Sequence, residues 1–400
     1  MNPALDRLQP YPFKKLTDLK RGIQPPVDQP HIALSVGEPR HPAPALIREA
    51  LINHLDGLAQ YPVVRANKAL RAVIAAWLRR RFNLPAQSLD PERCVLPVSG
   101  TREALFAIAQ CIVDADGNAA VLLPNPFYQI YEGAALLAGA RTVYLNCEAA
   151  NGFLPDLDVV PPETWRRCQL LYLCTPGNPT GAIMDEPALR HALELAERYD
   201  FVIASDECYS EIYLDENRPP PSLLGAAARM GNTDYRRCLA FHSLSKRSNL
   251  PGLRSGFVAG DVRLIEQFTR YRTYHGCTMP PPVQAASECA WRDEAHVAEN
   301  RRLYREKFDA VLEVLAPMMD VQRPQGAFYL WPHLALDDQR FARGLFAEQN
   351  VTVLPGSFLS RQSGGRDPGR NRVRMALVAT PDECMEAARR IRVYLERLHR

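Results

Sequence analysis

Leu170-Leu171-Tyr172-Leu173-Cys174 and Phe201-Val202-Ile203-Ala204-Ser205 are two short apolar runs, and Glu186 to Tyr199 between them reads as a helix. Strand, helix and strand in that order make one βαβ step. The same texture extends in both directions. Towards the amino terminus lie Thr142 to Leu145, Ala120 to Leu123 and Cys94 to Val98 as strands, with Arg102 to Val113 and Leu70 to Arg81 as helices. Towards the carboxyl terminus lie Cys238 to His242 and Gly256 to Ala259, again strand-like. Strands alternating with helices over so long a span predict an α/β fold around a largely parallel sheet.

The pattern changes after Pro282. A long helical stretch from Gln284 to Val314 leads into short strands near Ala327 to Trp331 and Val373 to Val378, which predicts a smaller α+β domain. A proline-rich entry from Pro10 to Pro44 fits neither pattern and is expected to cross between the two, and Ser363 to Arg370 reads as a surface loop. The expected division is 1–44 as an amino-terminal segment joining the small domain, 45–283 as the large domain, and 284–400 as the small one.

Composition excludes several classes. The chain has 400 residues, 46% of them apolar and 23% charged, which is ordinary globular usage. Lys and Arg number 48 against 45 Asp and Glu, and a net charge of +3 is too small for a surface built to hold nucleic acid. Arg79-Arg80-Arg81 is the one basic cluster of note, and a solvated helix end accounts for it. The first twenty residues carry six charges and three prolines with no apolar core, unlike a signal peptide, and no run is long enough to span a membrane. A cytoplasmic protein is expected. Ten cysteines without a C-x-x-C pair indicate reduced core residues, and no metal site is expected.

In open α/β sheets ligands bind beyond the carboxyl ends of the strands. The residues that follow each strand here form a coherent set: Ser99-Gly100-Thr101-Arg102, then Pro176-Gly177-Asn178-Pro179-Thr180-Gly181, then Asp206-Glu207-Cys208-Tyr209, then Ser243-Leu244-Ser245-Lys246. Each alone has a plain explanation. Ser99 and Gly100 suit any cap and turn, a strand-end aspartate suits a cap or local salt bridge, and a lone lysine is ordinarily a solvated charge. Together they supply a phosphate cup at a helix start, an amide, a buried carboxylate and an amine. That is the set pyridoxal phosphate needs: an amine for its aldehyde, a carboxylate for its ring nitrogen, donors for its phenolic oxygen and a cradle for its phosphate. Arg254, eight residues after Lys246, suits that phosphate bidentately.

These residues resemble the fold-type I pyridoxal-phosphate aminotransferases of class I/II over nearly the whole chain. The resemblance rests on Val36-Gly37-Glu38-Pro39, Ser99 to Leu105, Asn178-Pro179-Thr180-Gly181, Asp206-Glu207-x-Tyr209, Ser243-x-Ser245-Lys246 with Arg254, Gly326-Ala327-Phe328-Tyr329 and Arg372-Val373-Arg374, in family order. It implies a fold-type I α/β architecture, with a mostly parallel central sheet, helices on both faces, and a smaller α+β domain. It implies Lys246 as the Schiff-base lysine and proton carrier, Asp206 on the ring nitrogen, and Asn178 and Tyr209 on the phenolic oxygen. Gly100, Thr101, Arg102, Ser243, Ser245 and Arg254 are implied at the phosphate, Tyr128 stacked on the ring, and Arg374 with Gly37 and Asn178 at the substrate carboxylate. Tyr61 matches a tyrosine that reaches the phosphate of a neighbouring subunit, which implies a homodimer with shared sites. Ala66 departs from the glycine common five residues later, so a different turn is expected there.

Leu8 to Phe13, Asn125 to Gly133, Lys246 to Gly256 and Arg270 to Gly276 bring the resemblance nearer to proteobacterial N-succinyldiaminopimelate aminotransferases of lysine biosynthesis. The implied reaction moves an amino group from L-glutamate to N-succinyl-2-amino-6-oxopimelate, giving N-succinyl-LL-2,6-diaminopimelate and 2-oxoglutarate. Cationic candidates for the distal carboxylates are Arg40, Lys14, Lys15, Arg247 and Arg272. The cofactor residues leave open an aminotransferase for aspartate, aromatic amino acids or kynurenine, and a carbon–sulfur lyase. A catalytically silent regulatory relative would lack Lys246, Asp206 or Arg374, and all three are present.

Overall fold

The computed structural model describes residues 1–398. Its larger sheet has seven strands in the spatial order Val95–Val98, Gly256–Gly260, Cys238–Ser243, Val202–Asp206, Cys168–Cys174, Ala120–Asn125 and Arg141–Asn146. Gly256–Gly260 runs antiparallel to both neighbours, and every other pairing is parallel. The apolar runs explain the arrangement. Side chains alternate across a strand, and here both faces are covered. Leu171, Leu173 and Ile203 enter one core with Trp77, Trp165 and Trp291, while Leu170, Tyr172 and Ala204 enter another with Leu105, Ile108 and Tyr131. Each such leucine, fully buried, contributes about 1.5–3 kcal/mol.

The seven expected strands are all present, with ends displaced by at most a few residues. The helical stretch expected over Gln284–Val314 is two helices, Pro281–Arg292 and Ala295–Leu315, broken at Asp293 and Glu294. Asp293 turns back to accept from the backbone N–H of His296, which starts the second helix afresh. The first helix packs on Ala45–Ile52 and Lys68–Phe82 and puts Trp291 into the large core. The second gives Phe308, Val311 and Leu315 to a separate core with Phe341, Met375 and Ile391. On this packing we propose that the two domains join at Asp293–Glu294 rather than at 283/284.

The smaller unit holds an antiparallel sheet in the order Leu354–Pro355, Val373–Ala376, Tyr329–Leu330, backed by the helices Ala295–Leu315, Asp338–Gln349 and Pro381–Leu398. Ile32–Ala33 pairs in parallel with Val351–Thr352, so the proline-rich entry is tied to this unit by a strand.

Two local expectations are corrected. Arg79-Arg80-Arg81 is solvated only at Arg80, which pairs with Glu294 at 3.2 Å; Arg81 pairs with buried Glu211 at 2.9 Å and Arg79 donates to the Leu89 carbonyl. The turn at Ala66 keeps a left-handed conformation, φ +56°, despite lacking glycine. That costs an ordinary residue roughly 1–2 kcal/mol. Arg71 offsets it by donating to the carbonyls of Arg65 and Ala66 at 2.9 and 2.6 Å. Among the described residues no helix is long and apolar enough to cross a membrane.

Candidate active site

Register brings the strand ends level. Cys174 lies opposite Asp206, and Asp206 opposite Phe241, so the residues just beyond them open into the same space. That space is a cavity of about 360 Å³ between the large sheet and the smaller unit, within the range of small-molecule sites. Thr101, Arg102, Tyr128, Asn178, Asp206, Tyr209, Ser243, Ser245, Lys246, Arg254, Arg374 and Gly37 all line it.

Lys246 lies on the short helix Leu244–Arg247, and Ser243 caps that helix by accepting from the N–H of Ser245 at 3.1 Å. Its ammonium donates to the Gly37 carbonyl at 2.6 Å. Burial, opposed by nearby Cys208 and reinforced by Arg374, lowers its pKa to about 8. A neutral amine is the nucleophile an aldehyde requires.

Asp206 is buried with no cation: no basic side chain among the described residues pairs with it. Its Oδ2 accepts from the Tyr131 hydroxyl at 2.6 Å and its Oδ1 from the Cys208 N–H at 3.2 Å. Burial pushes its carboxyl upwards, and those donors pull it part of the way back. A buried carboxylate so placed fits a protonated ring nitrogen.

The helix Thr101–Ile112 begins at Gly100, φ +99°. A Cβ there would stand 2.2 Å from both Arg254 Nη2 and Glu103 Oε2, and the positive φ strains any other residue, so glycine suits this helix start. Arg254 is turned to Glu103, donating to both carboxylate oxygens at 2.8 and 2.9 Å. Both bonds come from Nη2, while Nη1 donates to the Pro251 carbonyl at 2.9 Å.

Arg374 is buried and stretches between two segments. It donates to Asn178 Oδ1 at 2.9 Å and to the Ser35 carbonyl at 2.7 Å, and its buried Nε has no acceptor among the described residues. Tyr209 shares a hydrogen bond with Tyr329 at 2.7 Å, and burial pushes its phenol up, so both stay neutral donors. Gly37 packs so closely on Tyr329 that a Cβ would lie 2.2 Å from its hydroxyl.

Tyr61 stands apart, fully exposed and away from this cavity. The distal-carboxylate candidates are also elsewhere. Arg247 is buried beside Trp291 and paired with Glu294, Arg272 donates to the Cys277 carbonyl, Lys14 pairs with Asp18, Arg40 lies 3.7 Å from Glu383, and Lys15 is half-buried over Phe358. The guanidinium of Arg102 is the cation at the mouth, held by Tyr128 at 2.6 Å and by Tyr11.

Sequence reasoning missed Tyr11, Tyr131, Cys208 and Tyr329 as wall residues. Cys208 follows Asp206 by two residues, in the turn beyond the strand, and its N–H meets that carboxylate. Tyr131 lies one helical turn beyond Tyr128 and is fixed by stacking on Tyr172, 4.7 Å between centroids. Tyr329 lay inside a quoted motif without a role. Tyr11 likewise lay inside the quoted stretch Leu8 to Phe13 without a role.

The chain belongs to the class I and II aminotransferases, whose family model matches residues 29–391, and these enzymes use pyridoxal 5′-phosphate. The residues around the cavity fit that group. Among individual proteins, the chain is similar to the LL-diaminopimelate aminotransferase of Desulforudis audaxviator, at 32% identity over 92% of this chain and 91% of that one. It is similar to the solved aminotransferase of Neisseria meningitidis, at 45% identity, TM-score 0.94 and full coverage of both chains. It is also similar to a probable N-succinyldiaminopimelate aminotransferase of Thermus thermophilus, at 27% identity, TM-score 0.82, covering 96% of this chain and 99% of that one.

Proposed function

We propose that the protein transfers an amino group from L-glutamate to N-succinyl-2-amino-6-oxopimelate, in the diaminopimelate branch of lysine biosynthesis. The observation that carries the catalytic part is the meeting of Lys246, Asp206, Asn178 and Arg374 in one cavity, with the lysine amine brought down to about 8.

Bound pyridoxal phosphate supplies an aldehyde that captures amines and a ring that accepts the electrons released at the α-carbon. In our reading Lys246 would hold that aldehyde and would carry the proton between the substrate α-carbon and the cofactor carbon. Asp206 would pair with the protonated ring nitrogen. Asn178 and Tyr209 would donate to the phenolic oxygen, and Tyr128 would cover one ring face. Gly100, Thr101 and Arg102 backbone groups, with Ser243, Ser245 and Arg254, hold the phosphate, for which Arg254 must exchange its Glu103 partner. Arg374, with Asn178 and Gly37 beside it, grips the α-carboxylate. Tyr61 serves the neighbouring subunit of a homodimer, which accounts for its exposure.

The succinylated acceptor is supported by the resemblance of the sequence stretches and by the Thermus relative, and Arg102 is the rim cation suited to a distal carboxylate. A second reading, the unsuccinylated diaminopimelate skeleton, is favoured by relatives named LL-diaminopimelate aminotransferase. A single-turnover spectrum tests both. The cofactor-loaded protein is expected to lose its yellow band with glutamate and regain it with N-succinyl-2-amino-6-oxopimelate. Loss of the yellow band with LL-diaminopimelate as amino donor, without recovery by N-succinyl-2-amino-6-oxopimelate after glutamate, would replace the first reading by the second. No loss of colour with glutamate would exclude this donor and point to the lyase.

A further inference from the structure

We propose that Asn300 is a positioning residue for the reaction, joining the backbone of the Lys246 turn to the substrate-side segment Val36–His41 through His41. The inference rests on the reading of Lys246 as the cofactor lysine. The helix Ala295–Leu315 presents His296, Asn300 and Tyr304 at four-residue spacing, hence along one face. That face runs beside the turn from Lys246 to Asn249. His296 Nε2 meets Ser248 Oγ at 2.8 Å while its Nδ1 meets Asp293. Asn300 Oδ1 accepts from Asn249 Nδ2 at 3.1 Å and lies 2.7 Å from His41 Nδ1, and Asn300 Nδ2 donates to the Lys246 carbonyl at 3.3 Å. Tyr304 stacks on Phe328, 5.5 Å between centroids, and His41 leans on Tyr304 at 4.7 Å.

These contacts close a ring. The Lys246 side chain reaches Gly37, its backbone reaches Asn300, and Asn300 reaches His41, four residues beyond Gly37. The other end of the same segment is held where Arg374 donates to the Ser35 carbonyl. A carboxylate arriving at Arg374 and a change of partner at the Lys246 amine therefore pull on one short segment from two sides. Asn300 is 2% exposed and is the kind of side chain that accepts twice and donates at once. With Oδ1 as acceptor, the network assigns the His41 proton to Nδ1, and burial with Lys307 nearby favours the neutral ring.

The test uses the cofactor-loaded enzyme and five variants: His41→Ala, His41→Asn, Asn300→Ala, Ser248→Ala and the double His41→Ala/Asn300→Ala. KM and kcat for glutamate are read separately, with the pH midpoint of the cofactor absorbance and the melting temperature. His41→Ala and Asn300→Ala are each expected to raise the glutamate KM roughly three- to thirtyfold and to move the absorbance midpoint in the same direction. The double variant is expected to be no worse than Asn300→Ala alone, because the two act in series. His41→Asn restores a donor towards Asn300 and is expected to recover part of the KM. Ser248→Ala loosens the same turn without touching Val36–His41, and its KM is expected to stay near that of the wild type. Multiplying single effects, a KM unmoved in His41→Ala, or an equal defect in Ser248→Ala would overturn the proposal. Retention of the yellow band by Lys246→Ala would overturn the underlying reading and the proposal with it. Loss of that band alongside independent His41 and Asn300 effects would overturn the proposal alone.

Discussion

The floor and the rim of the cavity are built in different ways. Gly100, Asn178, Asp206 and Lys246 follow four strands of one sheet, whose hydrogen-bonded register sets their heights, and most of their neighbours are buried. Tyr11, Phe13, Val36, Arg102, Leu354 and Leu359 form the rim from segments far apart in the chain. The helix Pro12–Leu19 beneath Tyr11 buries only Pro12 and Leu16. A floor tied into a sheet cannot shift one residue without shifting its neighbours, so it suits the chemistry shared by a family. A rim carried by lightly anchored segments can change shape independently, so acceptor choice is expected to reside there.

The hardest blow to this contrast falls on the floor. Lys246→Ala is expected to abolish the absorbance of the lysine-linked cofactor and to lower turnover by at least about 10²–10⁴-fold, the range for a positioned acid–base group. Turnover at the wild-type rate would remove Lys246 from the mechanism. In the unsubstituted apo-protein, capture of added pyridoxal phosphate should accelerate as pH rises through about 8, because the lowered pKa frees the amine there rather than near 10.5. A stopped-flow profile still climbing at pH 10 would contradict that.

Arg374→Ala comes next, with an expected loss of about 1.5–3 kcal/mol, roughly 10- to 150-fold in kcat/KM. Glutamate and the acceptor should suffer alike, since both carry an α-carboxylate. A defect confined to one of them would move Arg374 from the floor to the specificity side.

Tyr131→Phe removes the hydroxyl that donates to Asp206, leaving the buried carboxylate with a single donor. Equilibrium dialysis of pyridoxal phosphate should show weaker binding by roughly tenfold, from a charge-assisted bond of about 1.5 kcal/mol. Unchanged affinity would make Tyr131 a packing residue only. The smallest effect belongs to the rim. Arg102→Gln should raise the KM of the succinylated acceptor about two- to fivefold more than that of glutamate, the scale of an exposed ion pair. An equal rise for both would deny Arg102 a part in discrimination.

The floor was readable in the sequence because its residues stand at fixed short distances after apolar runs: Lys246 after Cys238 to Ser243, Asp206 at the end of Val202–Asp206, Asn178 just past Cys174. The contact that closes the rim was not, because Tyr11 meets Arg102 across ninety-one residues with no pattern linking them. Charged candidates chosen by sequence position alone went wrong for the same reason. Arg247 adjoins Lys246 in the chain, yet helical geometry turns it the other way, into Trp77, Trp291 and Glu294.

By itself the sequence determined the strand and helix order, the family and the cofactor, since each follows from local pattern or short motif. Tertiary structure alone decided that the helix after Pro281 breaks at Asp293, that Asp206 rests on Tyr131 without a cation, and that Asn300 joins the Lys246 turn to His41. Those are contacts between segments distant in the chain, and their energies depend on packing and burial that no local pattern encodes.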